Sequence, residues 1–236
     1  MGQRFGGNDA GTFRRVLEKE LEAERREKRL RERRARNTGA HTTMPIEDKQ
    51  MVGRWLKIAR EHDAGRTRGG VSWYLLLVLG FNTGLRIGDI CRLKVKDVVG
   101  RERVNIEAQK TEKMSDVLLL SATQRAVEAA LRGKGMEEYA LTSRNRSRKT
   151  GEEKPITRQR AYAIIKEIAR RAGFEEKVGC HTLRKTFAWQ YYEASDGELS
   201  KLQKILNHSS QEATLHYLGL DRKALDDVIR KMEPMV

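Results

Sequence analysis

The sequence predicts an α+β domain that is mostly α, with one small antiparallel β-sheet, preceded by a basic N-terminal arm that is helical or disordered. Three observations predict it. Apolar residues recur at helical spacing over most of residues 45–218, runs rich in branched residues interrupt that pattern between Val95 and Leu120, and the leading segment holds charge without a core. With 236 residues the chain is long enough for one sizeable core plus an appendage.

The arm comes first. TFRRVLEKELEAERREKRLRERRAR, Thr12 to Arg36, is rich in strong helix formers, with a short stripe of Phe13, Val16, Leu17 and Leu21. Beyond Ala23 only Leu30 continues that stripe, so the second half reads as a solvated helix or a disordered basic tract. Asn37-Thr38-Gly39 reads as a stop and linker. Thr43 can then cap a new helix, and Pro45 suits its first turn, the helix running to about Glu61. The boundary follows: an arm at 1–42 and a main domain at 43–236.

VSWYLLLVLGF, Val71 to Phe81, is apolar all round and predicts a buried central helix ended by Asn82-Thr83-Gly84. Another helix begins near Arg86. VKDVV, RVNIEA and DVLLL are short and branched, and predict a small antiparallel sheet with a turn over Lys110 to Ser115. Helices return at about Ser121–Arg132, Thr157–Ala172, Thr182–Ala194, Glu198–Leu206 and Ser210–Leu218, with an exposed basic loop at Arg144 to Lys154. In the tail, Asp221 to Val236, residues Leu225, Val228, Ile229 and Met232 fall at helical spacing, for packing on its own domain or on a neighbouring protomer.

Lys+Arg 48 against Asp+Glu 33 gives a net charge of +15, which points to a polyanionic partner. No apolar run reaches the roughly 18 residues of a spanning helix, and the start lacks the apolar core of a signal peptide. The basic residues are spread along the chain, so nucleic acid is preferred to a membrane surface. Cys91 and Cys180 have neither the number nor the spacing of a disulfide framework or zinc site, which fits a reducing, intracellular setting.

Three places offer chemistry. In LNHSSQEATLHYLGL, Leu206 to Leu220, His208 and Tyr217 would face apart on one continuous helix, at roughly 100° per residue. Ser209-Ser210-Gln211-Glu212 reads as a capping box, with Ser209 accepting from the backbone three residues on, so a new helix starts after His208 and leaves it at a corner. In TGLRIGD, Arg86 enters a helix with Asp89 three positions on, where the carboxylate can hold the guanidinium. In CHTLRKT, His181 and Arg184 lie at i and i+3 near a helix start, where free N–H groups favour an anion.

If the target is a phosphodiester, a tyrosine is the natural nucleophile. Ionising a phenol at pH 7 costs roughly 4 kcal/mol, which nearby arginine charge reduces. The leaving alkoxide needs a proton, and either Lys110 or Lys113, in the turn between strands, can supply it.

Arg86 in TGLRIGD, Lys110 in AQKTEK, His181 and Arg184 in HTLR, His208 in LNHSS and Tyr217 in ATLHY together resemble the box pattern of the tyrosine recombinases, the phage integrase family. The resemblance runs from about Thr43 to Leu220. It implies the family's catalytic fold and a DNA recombinase, integrase-like, in which Tyr217 forms a 3′-phosphotyrosyl link and frees a 5′-hydroxyl. It further implies that Arg86 and Arg184 clamp the phosphate, Lys110 is the general acid, His181 and His208 assist proton transfer, and Asp89 orients from behind. Neither metal nor cofactor is implied; the partners are double-stranded DNA and further copies of the chain, a tetramer on DNA, in the cytoplasm with the nucleoid and with no membrane role.

A type IB topoisomerase-like nicking and closing enzyme, or a non-catalytic DNA-binding relative, are the alternatives. Two departures stand out. Asn207 occupies the place where the family commonly has glycine, and residues 1–42 are too few for the usual upstream clamp domain, so that either the basic arm partly replaces it, or the protein binds core DNA more loosely, or the chain is a shortened relative.

Overall fold

The computed structural model describes residues 43–65, 70–109, 112–143, 151, 153–219 and 230. The expectations for the arm, for Lys110, for most of the loop 144–154 and for the tail apart from Arg230 lie outside the described residues. The chain divides into compact units of residues 1–42 and 43–236, and the described residues all belong to the second.

The second unit opens with an extended segment that docks early: Ile46 N–H donates to Thr186 Oγ1 at 2.9 Å and Met44 N–H to Lys177 O at 3.0 Å. Helix α1 (Lys49–Ala64) follows, Asp48 Oδ1 accepting from Gln50 N–H at its start. It buries Val52, Trp55 and Ala59, one face at helical spacing. Trp55 meets Phe81 at 6.3 Å and the edge of Phe174 at 5.7 Å between ring centres.

Helix α2 (Trp73–Thr83) is the central helix that the apolar run predicts: every residue in it but Tyr74 and Asn82 is buried. Asp63, near the end of α1, accepts from Ser72 Oγ and from the N–H groups of Trp73 and Tyr74, while Ser72 accepts from Leu75 N–H. The exposed donors of the α2 N-terminus are thus satisfied where the helix enters the core. Fully burying each large apolar side chain contributes about 1.5–3 kcal/mol at most, so Leu75, Leu76, Leu77 and Leu79 make α2 the main source of cohesion.

Helix α3 (Ile87–Arg92) begins one residue after Arg86. The next segment differs from expectation. VKDVV is not a strand but a 3₁₀ turn over Val95–Asp97, because Asp97 Oδ2 accepts from Lys94 N–H at 2.8 Å and curls the chain, burying Val95 and Val98 on one side. Among the described residues the sheet therefore has two strands, β1 (Arg103–Glu107) and β2 (Met114–Leu118), antiparallel, with Val104 opposite Val117 and both buried. Helices α4 (Ser121–Leu131), α5 (Arg158–Ala172), α6 (Thr182–Ala194), α7 (Leu199–Ile205) and α8 (Gln211–Leu218) complete the unit close to the predicted bounds.

One large core joins α1 to α5, the sheet and the start of α6. A second, smaller cluster of Ala188, Leu202, Leu206 and Leu218 holds the end of α6 against α7 and α8, with Phe187, Trp189, Tyr191 and Tyr192 packed round it. Cys91 is buried and Cys180 partly buried, both as free thiols. Among the described residues, no helix is long and apolar enough to cross a membrane.

Candidate active site

Two glycines let α6 approach α2 closely. A Cβ on Gly80 would lie 2.4 Å from Leu183 Cδ1, and one on Gly84 would lie 2.3 Å from the Phe187 ring; Gly84 also has φ +60, which glycine adopts without strain. Leu183 and Phe187 are i and i+4 on α6, as Gly80 and Gly84 are on α2. Between those contacts, Arg184 Nη1 donates to Gly84 O, and Nη2 to Leu206 O at 2.6 Å. Gly84 and Leu206 end α2 and α7, so the guanidinium faces carbonyls at the negative ends of two helices. Only 5% of Arg184 is exposed. Burial lowers its pKa, Arg86 acting in the same direction, while Tyr217 raises it through charge and a hydrogen bond.

Arg86 is the N-cap residue of α3, partly buried, and its side chain makes no capping bond. Asp89 does not take up the Arg86 guanidinium as its spacing suggested. The carboxylate, 3% exposed, accepts from Arg92 Nη2 at 3.2 Å and from Gln109 N–H at 3.2 Å. The i, i+3 partner that Asp89 takes on this helix is therefore Arg92. Asp89 instead ties α3 to the turn between the strands at Gln109.

His208 and Tyr217 meet. Helix α7 stops at Ile205, and Asn207 turns the chain at φ +53, in the left-handed region that asparagine tolerates better than most residues. Its amide nitrogen also donates to Met114 O at 3.1 Å and Ser115 Oγ at 3.3 Å on β2. The cap of α8 sits one residue later than expected: Ser210, not Ser209, accepts from Ala213 N–H at 3.1 Å. Thr214, on the first turns of α8, donates to Ser210 O at 3.2 Å and lies 3.1 Å from His208 Nδ1. With its one hydrogen given to Ser210, the hydroxyl accepts from Nδ1–H, and Nε2 keeps its lone pair.

The rings of His208 and Tyr217 stand edge to face, 5.0 Å apart. His181, exposed at the head of α6, places Nδ1 3.4 Å from the Tyr217 hydroxyl. Burial pushes the phenol up to about 12, partly offset by Arg184 and Arg86. Burial, with the same two arginines, pushes His208 down to about 4, so it is neutral at pH 7. Arg86, Arg184, His181, His208 and Tyr217, spread over much of the sequence, therefore act on one another.

Beside them lies an open cavity of about 300 Å³ lined by Arg86, Ile87, Gly88, Asp89, Gln109, Arg158 and His181. Lys110 itself lies outside the described residues, although its neighbour Gln109 is on that wall. Arg158, the first residue of α5, was not singled out by sequence reasoning, since an arginine at a helix start in so basic a chain carries no distinguishing signal. Nothing in the sequence distinguishes Lys185 either, and that only 4% of it is exposed is a property of the fold. Among the described residues no group of His, Cys, Asp and Glu is arranged to hold a metal ion.

Comparison with known proteins places this arrangement. Residues 47–223 match the phage integrase family. The chain belongs to the phage integrase family. It is 38% identical over 148 residues to the "Probable integrase/recombinase YoeC" of Bacillus subtilis (strain 168), spanning 63% of this chain and 77% of that one. To the tyrosine recombinase XerD of Corynebacterium glutamicum it is 31% identical over 165 residues, 67% of this chain and 52% of the relative. The integrase domain thus spans about half the length of such Xer relatives.

Among solved structures, the fold is similar to that of XerA recombinase, with a TM-score of 0.60 at 21% identity over 84% of this chain and 66% of the other. It is also similar to XerH recombinase bound to palindromic difH substrate in a post-cleavage complex, with a TM-score of 0.56 at 21% identity, over 80% and 53%. These likenesses concern the fold, which is the mostly helical α+β integrase fold with a small antiparallel sheet that the sequence predicts.

Proposed function

We propose that this phage integrase family protein is a site-specific DNA recombinase, integrase-like, that cuts and rejoins double-stranded DNA through a 3′-phosphotyrosyl intermediate. One observation carries the reading: the Tyr217 hydroxyl shares a corner with the buried Arg184 and with His181, while Arg86 opens on the adjoining cavity. A phenol beside cations that can stabilise the negative charge developing on its oxygen is what an attack on a phosphate diester requires.

Tyr217 is the nucleophile. With a pKa of about 12 its ionisation at pH 7 would cost about 7 kcal/mol, so its proton must leave as the O–P bond forms. His181 Nδ1 is placed to accept that proton, and neutral His208 adds a second imidazole beside the ring. Arg184 gives two donors to carbonyls and has others left for a non-bridging phosphate oxygen; Arg86 supplies a second guanidinium. As phosphorus becomes five-coordinate, charge grows on those oxygens and the contacts strengthen.

Lys110 donates a proton to the departing 5′-oxygen, and Asp89 holds the backbone next to that lysine through Gln109. A 5′-hydroxyl of a second strand then attacks the phosphotyrosine, returning Tyr217 to its starting state. The protein is proposed to act on nucleoid DNA in the cytoplasm as a homo-oligomer, a tetramer on paired sites.

Covalent capture tests the proposal. On nicked duplex DNA in EDTA, the protein is expected to form an adduct that survives denaturing electrophoresis, is lost in Tyr217→Phe and is reduced at least a hundredfold in Arg184→Ala, on the order of two lost charge-assisted contacts. An adduct that persists in Tyr217→Phe overturns the assignment of the nucleophile.

A further inference from the structure

Lys185 follows Arg184 on α6 and has no part in the chemistry above. Only 4% of it is exposed, yet it is a lysine in a place that leucine or methionine could fill. Its Nζ lies 5.2 Å from the centre of the Tyr217 ring, within cation–π range. Burial pushes its pKa down to about 8, with no carboxylate among the described residues to offset the loss of water. An ammonium removed from water without an acidic partner is costly to keep, and the aromatic face is the compensation seen here.

The neighbours on α6 sharpen the point. Leu183 belongs to the large core, Arg184 binds the ends of α2 and α7, and Lys185 reaches the ring of α8. Three consecutive residues thus run from the rigid part of the molecule to the attacking group. Tyr217 itself packs against the small C-terminal cluster, whose few apolar contacts hold the ring less firmly.

We propose that Lys185 is a positioning residue for Tyr217, its ammonium lying against the phenol face to fix the ring in line with the phosphorus and to steady the negative charge that builds on the phenol oxygen. This rests on the recombinase reading. The contact acts on the nucleophile's side of the reaction, not on the leaving group and not on DNA affinity. No new bond is made by Lys185, and its proton count does not change in the step.

Lys185→Met tests it, because methionine keeps the length and volume, removes a buried charge and so is expected to fold. The probe is a pool of short nicked duplexes of random sequence, from which the duplex that the parent protein captures best is taken for rate measurement. Lys185→Met is expected to bind that duplex within twofold of the parent, with the same salt dependence, and to form the adduct at least tenfold more slowly at saturation. Lys185→Arg, which keeps a cation over the ring, is expected to recover part of that rate. The loss should persist on the same duplex with sulfur replacing the bridging 5′-oxygen, since a thiolate leaves without a proton while the attack still needs an aligned phenol.

An unchanged rate in Lys185→Met overturns the proposal, as does recovery of the parent rate on the sulfur substrate, or a defect confined to binding. Should the methionine variant not fold, Lys185→Gln, uncharged and of similar length, carries the same expectations. If the parent captures DNA no better than Tyr217→Phe does, the recombinase reading falls and takes this inference with it; if the parent captures and Lys185→Met matches it, this inference falls alone.

Discussion

The two arginines and the tyrosine stand on unequal ground. Arg86 and Arg184 rise from elements fixed in the large core, where α2 is buried almost all round and α6 enters through Leu183. Tyr217 rises from α8, held by Ala188, Leu202, Leu206, Leu218 and a rim of partly buried aromatics. Apolar burial is what resists local opening, so the side proposed to bind phosphate is the stiffer and the side carrying the proposed nucleophile the more easily displaced. The difference teaches that the groups proposed to clamp a phosphate and to attack it rest on cores of unequal size, so that one can be loosened without the other. Polar links cross between the two regions: Arg184 to Leu206 O, Asn207 to β2 and Lys185 to the Tyr217 ring.

The sharpest test of this contrast is a pair of leucines. Leu76→Ala, in the middle of α2, should lower global stability by about 3 kcal/mol, within the roughly 2–5 kcal/mol range of such truncations, as read from denaturant midpoints. Leu202→Ala, equally buried, should cost less globally and show instead as faster amide exchange confined to α7 and α8, with slower adduct formation and unchanged DNA affinity. Equal global losses with no local exchange would erase the distinction between the two regions.

A smaller effect follows from His208, at the junction of the regions. An unfolded imidazole takes up its proton near pH 6.5, whereas burial and the two arginines hold the folded one down to about 4. The unfolded chain then binds more protons, so stability should fall as pH drops from about 6.5 to about 4, and His208→Asn should flatten that part of a thermal-melt profile. An unaltered profile would mean that the folded imidazole titrates as it does in water.

The smallest effect concerns Arg158, on the cavity wall and exposed. If it meets a phosphate beside the one proposed for Arg86, Arg158→Ala should reduce the slope of log affinity against log salt by about 0.9 and leave the melting temperature unchanged. An unchanged slope would restrict the phosphate contacts to the clamp already described.

Much of this was legible in the residues, for reasons particular to each element. The central helix is visible because VSWYLLLVLGF has no polar face, and only a buried helix tolerates that. The corner at His208 is visible because serine and glutamate restart a helix, although the cap falls on Ser210. VKDVV misled because branched residues suit a strand, and the Asp97 bond to Lys94 N–H that curls them is a local polar preference outside that pattern. Asp89 misled because its carboxylate is taken up by Arg92 one turn on and by Gln109 N–H from the turn between the strands, a partner remote in the chain.

Periodicity, capping residues and box order were enough, by themselves, to determine the fold class and the order of the helices from α1 to α8 and to nominate the side chains proposed for one chemistry, since each depends on neighbours within a few residues or on residue type alone. Tertiary structure decided what those side chains touch: Arg184 between two helix ends, Asp89 on Gln109 N–H, and Lys185 against the Tyr217 ring. Those contacts depend on how closely α6 settles on α2 through Gly80 and Gly84, a distance that arises from packing among segments remote in the chain.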